Sequence, residues 1–286
     1  MILYLTLIAV TAKLSAQNET DVMTFPVGDA EISVLSEGQQ KNSQSILIGA
    51  TPEMLQKYMP DGSCPAAVNA FLVRKDGKNI LIDAGFGRNL HKNIESLKLS
   101  AEKIDAILIT HMHGDHVGGL LKDGKPAFSN AALYIAQPEY EYWTSGERKN
   151  SVAAIIDGYK NRLKLFTPAS NPETATETVA GLKAIAAYGH TPGHTAYLLE
   201  SAESKLLICG DLTHAMAVQA PHPEVAVTYD VDPKKAVEIR KKIFEYVSKN
   251  KIPIAGMHTA FPGIGDIKPD RNGGYEFTLF CTCLGY

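Results

Sequence analysis

The sequence is short of cysteine, of tryptophan and of clustered positive charge, and these shortages narrow what the chain can be. Its four cysteines, Cys64, Cys209, Cys281 and Cys283, show neither Cys-x-x-Cys nor zinc-ribbon spacing, so no thiolate-held zinc is expected. The even count permits disulfides without assigning them. Cys209 ends an apolar run and reads as a small core residue, while Cys281 and Cys283 share one strand face. Net charge is −3 with no run of Lys and Arg, so the electrostatic footprint of a nucleic-acid binder is missing. No Gly-x-Ser-x-Gly elbow occurs, so a serine nucleophile of that type is not expected. The apolar run from Ile2 to Val10 is too short to span a bilayer, and no membrane span is expected.

What is present is an ordinary soluble composition, 45 % apolar and 21 % charged, in a chain long enough for a sizeable core. The N-terminal run followed by small residues reads as an export signal over 1–16, cleaved after Ala16. The mature domain is then 17–286, periplasmic or secreted; a buried first strand in a cytoplasmic chain is the competing reading. A homodimer is compatible with the sequence but not encoded in it.

Beyond Gln17 there is no linker and no low-complexity tract. Residues 67–85 read as a hairpin, with Asp76-Gly77 as its turn. Strands are expected at 103–110, 131–137, 181–188, 195–201 and 204–210, and a short one at Ile252–Met257. A helix is expected to start at "EYEYW", and the clearest helix spans 232–250, with Asp232 as N-cap and Pro233 as first helical residue. Its buried stripe is Ala236, Ile239, Ile243, Phe244 and Val247. The polar stretch 168–178 is the expected seam between two halves. This mixed order fits sheets packed on each other with helices outside.

The chemistry concentrates in "AILITHMHGDHVGG", residues 106–119. A buried strand runs directly into His111, His113, Asp115 and His116. His111 and His113 point the same way in an extended segment, and Gly114 lets the chain turn before Asp115. One ion cannot take all four comfortably, whereas two adjacent ions can. Gly118 and Gly119 let backbone pack beside the cluster. Further ligands sit at later strand ends: His190 and His194 in "YGHTPGHTA", Asp211 and His214 in "ICGDLTH", and His258 in "IAGMHTAFPG". Imidazole with carboxylate suits two divalent ions, zinc foremost, with Mn, Fe or Co as alternatives.

The stretches "LIDAG", "THMHGDHVGG", "GHTPGHT", "CGD" and the late "MH" resemble the metallo-β-lactamase-fold hydrolases over nearly the whole mature chain. The resemblance implies an α+β fold, a four-layer αββα sandwich with a dinuclear metal site at one edge. It assigns His111, His113 and His190 to one ion, Asp115, His116 and His258 to the other, and Asp211 to both. His194 is left as a pocket or packing residue, and Asp83 supports the site from behind. "GDLTHAMAVQAPHPEVAVTYDVDPKKA", "MHTAFPGIGDI" and "PEYEYW" are similar to methyl parathion hydrolase and its lactonase relatives. Thr259-Ala260 and Asp266 depart from that subgroup's usual Leu-Pro and histidine, which bears on substrate choice.

The expected reaction is hydrolysis of a lactone or ester in a small-molecule substrate by a metal-bridging hydroxide. Asp115 and His214 are its candidate catalytic groups, His214 as donor to the oxyanion or leaving group. Organophosphate triester hydrolysis of the methyl parathion hydrolase type is the alternative, as is a metal-binding protein without turnover. A di-iron oxidoreductase would normally carry a flavin domain, and none is appended. Tyr142 and Trp143 are expected as helix core residues or pocket lining, and His91 and His222 as surface residues.

Overall fold

The computed structural model describes residues 21–280, so the expected export signal, Cys281 and Cys283 lie outside the described residues. The first half contains β1 (Val22–Val27), β2 (Ala30–Ser43), β3 (Leu47–Ile48), α1 (Pro52–Tyr58), β4 (Ser63–Lys75), β5 (Lys78–Ile82) and α2 (Leu90–Ser96). It continues with β6 (Ala106–Leu108), α3 (Gly114–Val117), β7 (Leu121–Lys122), β8 (Lys125–Pro126), β9 (Ala132–Ala136), α4 (Gln137–Trp143), α5 (Lys149–Tyr159) and β10 (Leu163–Phe166). The second half contains β11 (Glu177–Val179), β12 (Leu182–Ala186), β13 (Thr195–Ser201), β14 (Ser204–Ile208), α6 (Met216–Gln219) and β15 (Ala226–Val227). It ends with α7 (Pro233–Asn250), β16 (Ile254–Ala255), β17 (Ile264–Pro269) and β18 (Tyr275–Leu279).

Among the described residues these strands build two seven-stranded sheets, ordered β1-β2-β4-β5-β6-β9-β10 and β11-β12-β13-β14-β16-β17-β18. The first ends with β10 and the second begins with β11, so the chain passes from one to the other in the expected seam. Strand alternation produces the four layers. On β4, β5 and β14, Phe71, Val73, Ile80, Ile82, Leu206 and Ile208 point into the space between the sheets. Their neighbours Leu72 and Leu81 face the helices of the first half, and Leu207 packs with Ile243, Phe244 and Val247 of α7. Both faces of these strands are therefore buried, which is why they read as continuous apolar runs rather than alternating ones.

The local signals act as expected. Asp76 and Gly77 both take positive φ in the β4–β5 turn, as a two-residue hairpin needs. Asp232 caps α7 by accepting from the Lys235 N–H. Two expectations are corrected. The strand expected over 103–110 is regular only at Ala106–Leu108, and that at 252–257 only at Ile254–Ala255, because the chain leaves the ladder to deliver ligands. The α7 stripe also differs: Ile239 is half-buried, and Arg240 is buried instead. Its guanidinium donates to the carbonyls of Leu212, Pro223 and Val225, so a charge is satisfied inside without a carboxylate in contact. No helix among the described residues is long and apolar enough to cross a membrane.

The candidate ligands leave the ends of four strands at one edge: His111 to His116 follow β6, His190 follows β12, Asp211 follows β14, and His258 follows β16, with the supporting Asp83 after β5. Rigid sheet ends hold side chains more closely than free loops do.

Candidate metal centre

Two groups of donor atoms that share no residue converge at this edge: His111, His113, His190 and Asp211 form the first, and Asp115, His116 and His258 the second. A third grouping, Asp211, His214 and His258, overlaps both. In the first, His111 Nε2 lies 2.9 Å from His113 Nδ1, which lies 3.0 Å from His190 Nε2. Asp211 Oδ2 is 3.5 Å from His111 Nε2 and 3.3 Å from His190 Nε2. In the second, His258 Nε2 lies 3.3 Å from Asp115 Oδ2 and 3.1 Å from Asp211 Oδ2, and His116 Nε2 lies 3.2 Å from Asp211 Oδ1. Asp211 thus faces both groups.

The outward hydrogen bonds decide which ring nitrogens carry protons. His190 Nδ1 faces Asp230 at 3.0 Å, His116 Nδ1 faces Asp83 at 2.6 Å, and His258 Nδ1 faces the Ala67 carbonyl at 3.2 Å. Each partner is an acceptor, so each Nδ1 donates and the inward Nε2 is the nitrogen whose lone pair a metal ion would take. Thr110 Oγ1 spends its proton on Asp83 and accepts from His111 Nδ1 at 3.1 Å, which turns His111 Nε2 inward in the same role. Four such nitrogens and two carboxylates face one another at about hydrogen-bond distance. His116 Nε2 and Asp211 Oδ1 are buried and have no hydrogen-bond partner, despite lying 3.2 Å apart. Such an arrangement fits divalent cations, which take lone pairs and carboxylates together.

The sequence matches the family model of the metallo-beta-lactamase superfamily over residues 65–250, which contain six of the seven candidate ligands. The chain belongs to the metallo-beta-lactamase superfamily. Among solved structures it is similar to hydrolase AbOPH of the beta lactamase superfamily, with 30 % identity and a TM-score of 0.82 over 93 % of this chain and 99 % of that one. It is also similar to AidC, a dizinc quorum-quenching lactonase, with 25 % identity and a TM-score of 0.81 over 91 % and 97 % of the two chains. Among curated proteins it is 29 % identical to YobT of Bacillus subtilis (strain 168) over 150 residues, half of this chain and 61 % of that protein. A 52-residue stretch is 54 % identical to ribonuclease Z of Saccharolobus islandicus, 18 % of this chain and 17 % of that enzyme.

The electrostatics of this metallo-beta-lactamase-fold edge differ from ring to ring, within the first group as well: burial would lower His190, yet its bonds to Asp211 and Asp230 raise it. Burial, then the charge of His190, pushes His113 down to about 4, and burial, then His116, holds His111 well below its ordinary value. These rings are neutral at pH 7, as ligands must be. Burial would also lower His258, yet the Asp211 and Asp115 carboxylates outweigh it and raise it to about 10. Burial would raise the Asp211 carboxyl, but His116, His258 and His111 hold it well below the usual range. Without an ion, protons on the second group do part of a cation's work.

Several expected placements hold and some need correction. His194 is not a donor to either group: its Nδ1 donates to the Ala187 carbonyl, and its Nε2 accepts from the Asp211 N–H at 2.9 Å. Asp83 accepts from Thr110 N–H and Oγ1–H as well as from His116. Gly118 and Gly119 do permit close packing: a Cβ there would strike the Phe86 and Ala84 carbonyls. His214 reaches the site, with Nε2 3.1 Å from Asp211 Oδ2. Trp143 is half-buried against the core and stands edge-on to His113, with ring centroids 5.4 Å apart. His91 and His222 are half-buried rather than on the surface, His91 stacked on Phe128 and His222 beside Glu224. Asp266 lies on β17 opposite Thr278, outside the cleft lining. Cys209 is core, its thiol pushed up to about 12 by burial.

Glu139 has no signal in the sequence that sets it apart from its neighbours, yet it ties the first group together. Its buried carboxylate accepts from Met112 N–H, Trp143 Nε1–H, Thr191 Oγ1–H and Gly193 N–H. Met112 separates His111 from His113, and Thr191 follows His190. Glu139→Ala would leave four donors unsatisfied or refilled by water. Since one buried unpaired donor costs about 1–3 kcal/mol, the variant is expected to lose about 3 kcal/mol or more. Ion binding at the first group should weaken about tenfold. Urea unfolding with a chelator competition checks both, and unchanged values in both would refute this role.

Proposed function

We propose that this chain is a dinuclear-metal-dependent hydrolase of neutral lactones and esters. The observation that carries this reading is the cleft over the two donor groups, about 380 Å³ in volume. Besides candidate ligands and His214 it is lined by Gln40, Asn42, Gly114 and Tyr229, with no Lys or Arg. A substrate bearing an anionic group away from the reacting bond, as a β-lactam or a nucleic-acid strand does, would lack a partner for it. A neutral carboxylic ester, lactone or phosphotriester needs none. The similarity to AidC, a dizinc lactonase in complex with its N-hexanoyl-homoserine product, supports the lactone reading.

His111, His113 and His190 would hold one divalent ion, Asp115, His116 and His258 the other, and Asp211 both. Such ions acidify water at neutral pH and polarise the reacting carbonyl or phosphoryl oxygen. The chain's own residues supply the proton handling. Asp115 is the ligand carboxylate whose side chain reaches solvent, at 23 % exposure, and burial, outweighed by His116 and His258, leaves it ionised. It is placed to accept the proton released as water adds. Burial pushes His214 down to about 4, so the ring is neutral at pH 7, and its Nε2–H, now donated to Asp211, can turn to the developing oxyanion or leaving alkoxide. Water adds across the acyl–oxygen bond, giving an acid and an alcohol.

The test is a hydrolysis panel on the protein loaded in turn with Zn, Mn, Fe and Co: a lactone, an aryl ester, a phosphotriester, a cephalosporin and a phosphodiester. Turnover of the neutral members well above the anionic ones supports the reading. Preferential turnover of the cephalosporin or the phosphodiester refutes it, and a phosphotriester preference moves the assignment to the alternative substrate.

A further inference from the structure

Among the described residues five large apolar side chains stand exposed, and three of them, Ile48, Tyr229 and Val231, belong to two paired segments beside the cleft. Their exposures are 43 %, 53 % and 48 %, so none contributes much to the core. The backbone carrying them is nonetheless held on either side of Tyr229. Ile48 pairs with Ala226 and Leu47 with Val227. Thr228 N–H donates to the Ile46 carbonyl at 2.8 Å and Asp230 N–H to that of Val227 at 3.1 Å. Val231 N–H donates to the carbonyl of the candidate ligand His190 at 3.0 Å. Asp230 is buried, bonded to His190 and to Val227 N–H, so it presents no charge to this rim.

Tyr229 therefore keeps its ring in water on a rigid support while lining the cleft, and the ring leans over His214 at 5.6 Å between centroids. Exposed apolar surface on a fixed backbone, continuous with a reaction cleft, is what a small-molecule site uses to seat the unreactive part of its substrate. The occupant is constrained by charge. Neither Ile46–Ile48 nor Val225–Val231 offers a free charged side chain, and the cleft lining contains no Lys or Arg.

We propose that this rim, with Tyr229 as the specificity-determining residue, binds the apolar alkyl or aryl arm of the substrate while its neutral ester or lactone group lies over Asp211 and His214. The proposal rests on the function proposed above. An aromatic side chain buried by such an arm contributes roughly 1.5 kcal/mol, about tenfold in binding.

The experiment compares γ-butyrolactone with γ-decalactone, which share the reacting ring and differ in an alkyl tail, on the metal-loaded full chain. The ratio of kcat/KM, tailed over untailed, should favour the tail. It should fall about tenfold in Tyr229→Ser, mainly through KM, and be kept in Tyr229→Phe. Val231→Ser should lower it less. Calorimetric binding of 2-decanone against 2-butanone gives an arm independent of turnover, with the same ordering expected. If no lactone is hydrolysed but the ketone preference exists and collapses in Tyr229→Ser, the proposed reaction fails and the rim assignment stands. A tail preference unchanged in Tyr229→Ser overturns the rim. So does a change in oligomeric state with unchanged preference, which would make this face a contact between copies.

Discussion

Asp211→Ala should abolish turnover of every substrate the native chain hydrolyses, by on the order of 10³-fold or more. One oxygen, Oδ2, lies 3.3 Å from His190 Nε2 and 3.1 Å from His258 Nε2, while Oδ1 lies 3.2 Å from His116 Nε2. Asp211 thus faces both donor groups, so alanine removes a carboxylate oxygen from each at once. The backbone at this position is held by His194 Nε2, which accepts the Asp211 N–H whatever the side chain is. The loop should therefore keep its path, and the loss should be one of metal and catalysis rather than of fold. Elemental analysis beside a circular dichroism spectrum separates these. Fewer than two ions per chain with a native spectrum is the expected pair, whereas two ions and near-native kcat would remove Asp211 from its assigned place.

Asp83→Asn should weaken the second ion about 10–100-fold while disturbing the first less. Asparagine tolerates the left-handed backbone at this position, where φ is 57°, so the change tests chemistry rather than strain. The native carboxylate accepts three hydrogen bonds: from Thr110 N–H at 2.8 Å, Thr110 Oγ1–H at 2.6 Å and His116 Nδ1–H at 2.6 Å. An amide has one acceptor oxygen. If that oxygen keeps His116 and the hydroxyl, the amide NH₂ meets the Thr110 N–H donor head-on. One buried donor is then unpaired, at about 1–3 kcal/mol of stability. The larger consequence is that His116 loses the negative charge that fixes its tautomer and strengthens its inward nitrogen as a ligand. A chelator titration resolving two dissociation constants reads this directly. Equal weakening of both ions, or of neither, would show that Asp83 does not act through His116.

The candidate ligands were legible in the sequence because each follows an apolar strand within a few residues. His111 to His116, His190, Asp211 and His258 are local features of that kind, and their convergence follows from strands ending at one edge. The change of sheet was legible as well, since the seam at 168–178 interrupts the strand pattern there, whereas the strand order within each sheet was not. Apart from Asp83, marked by the resemblance, what supports the candidate ligands was not legible. Glu139 reaches Met112, 27 residues away, and Gly193, 54 away; Asp230 reaches His190 across 40. Nothing local separates these acids from surface ones such as Glu141. Arg240 misleads for a similar reason: it sits on the buried side of α7, and only the carbonyls of the Leu212–Val225 segment make that tolerable. Helix periodicity locates the apolar stripe but carries no information about acceptors brought to it by a distant loop. His194 shows the converse. It has the residue type and strand-end position of a ligand, and the fold uses it to hold Asp211 instead.

The most direct measurement is lactone hydrolysis by chelator-stripped full chain as zinc is added back in measured equivalents. Activity absent from the stripped protein, rising with zinc and levelling at two ions per chain, is the expected result, because Asp211 faces both groups of donors. Full activity in the stripped protein, or a plateau at one ion, would contradict the assignment of these residues to a working dinuclear centre.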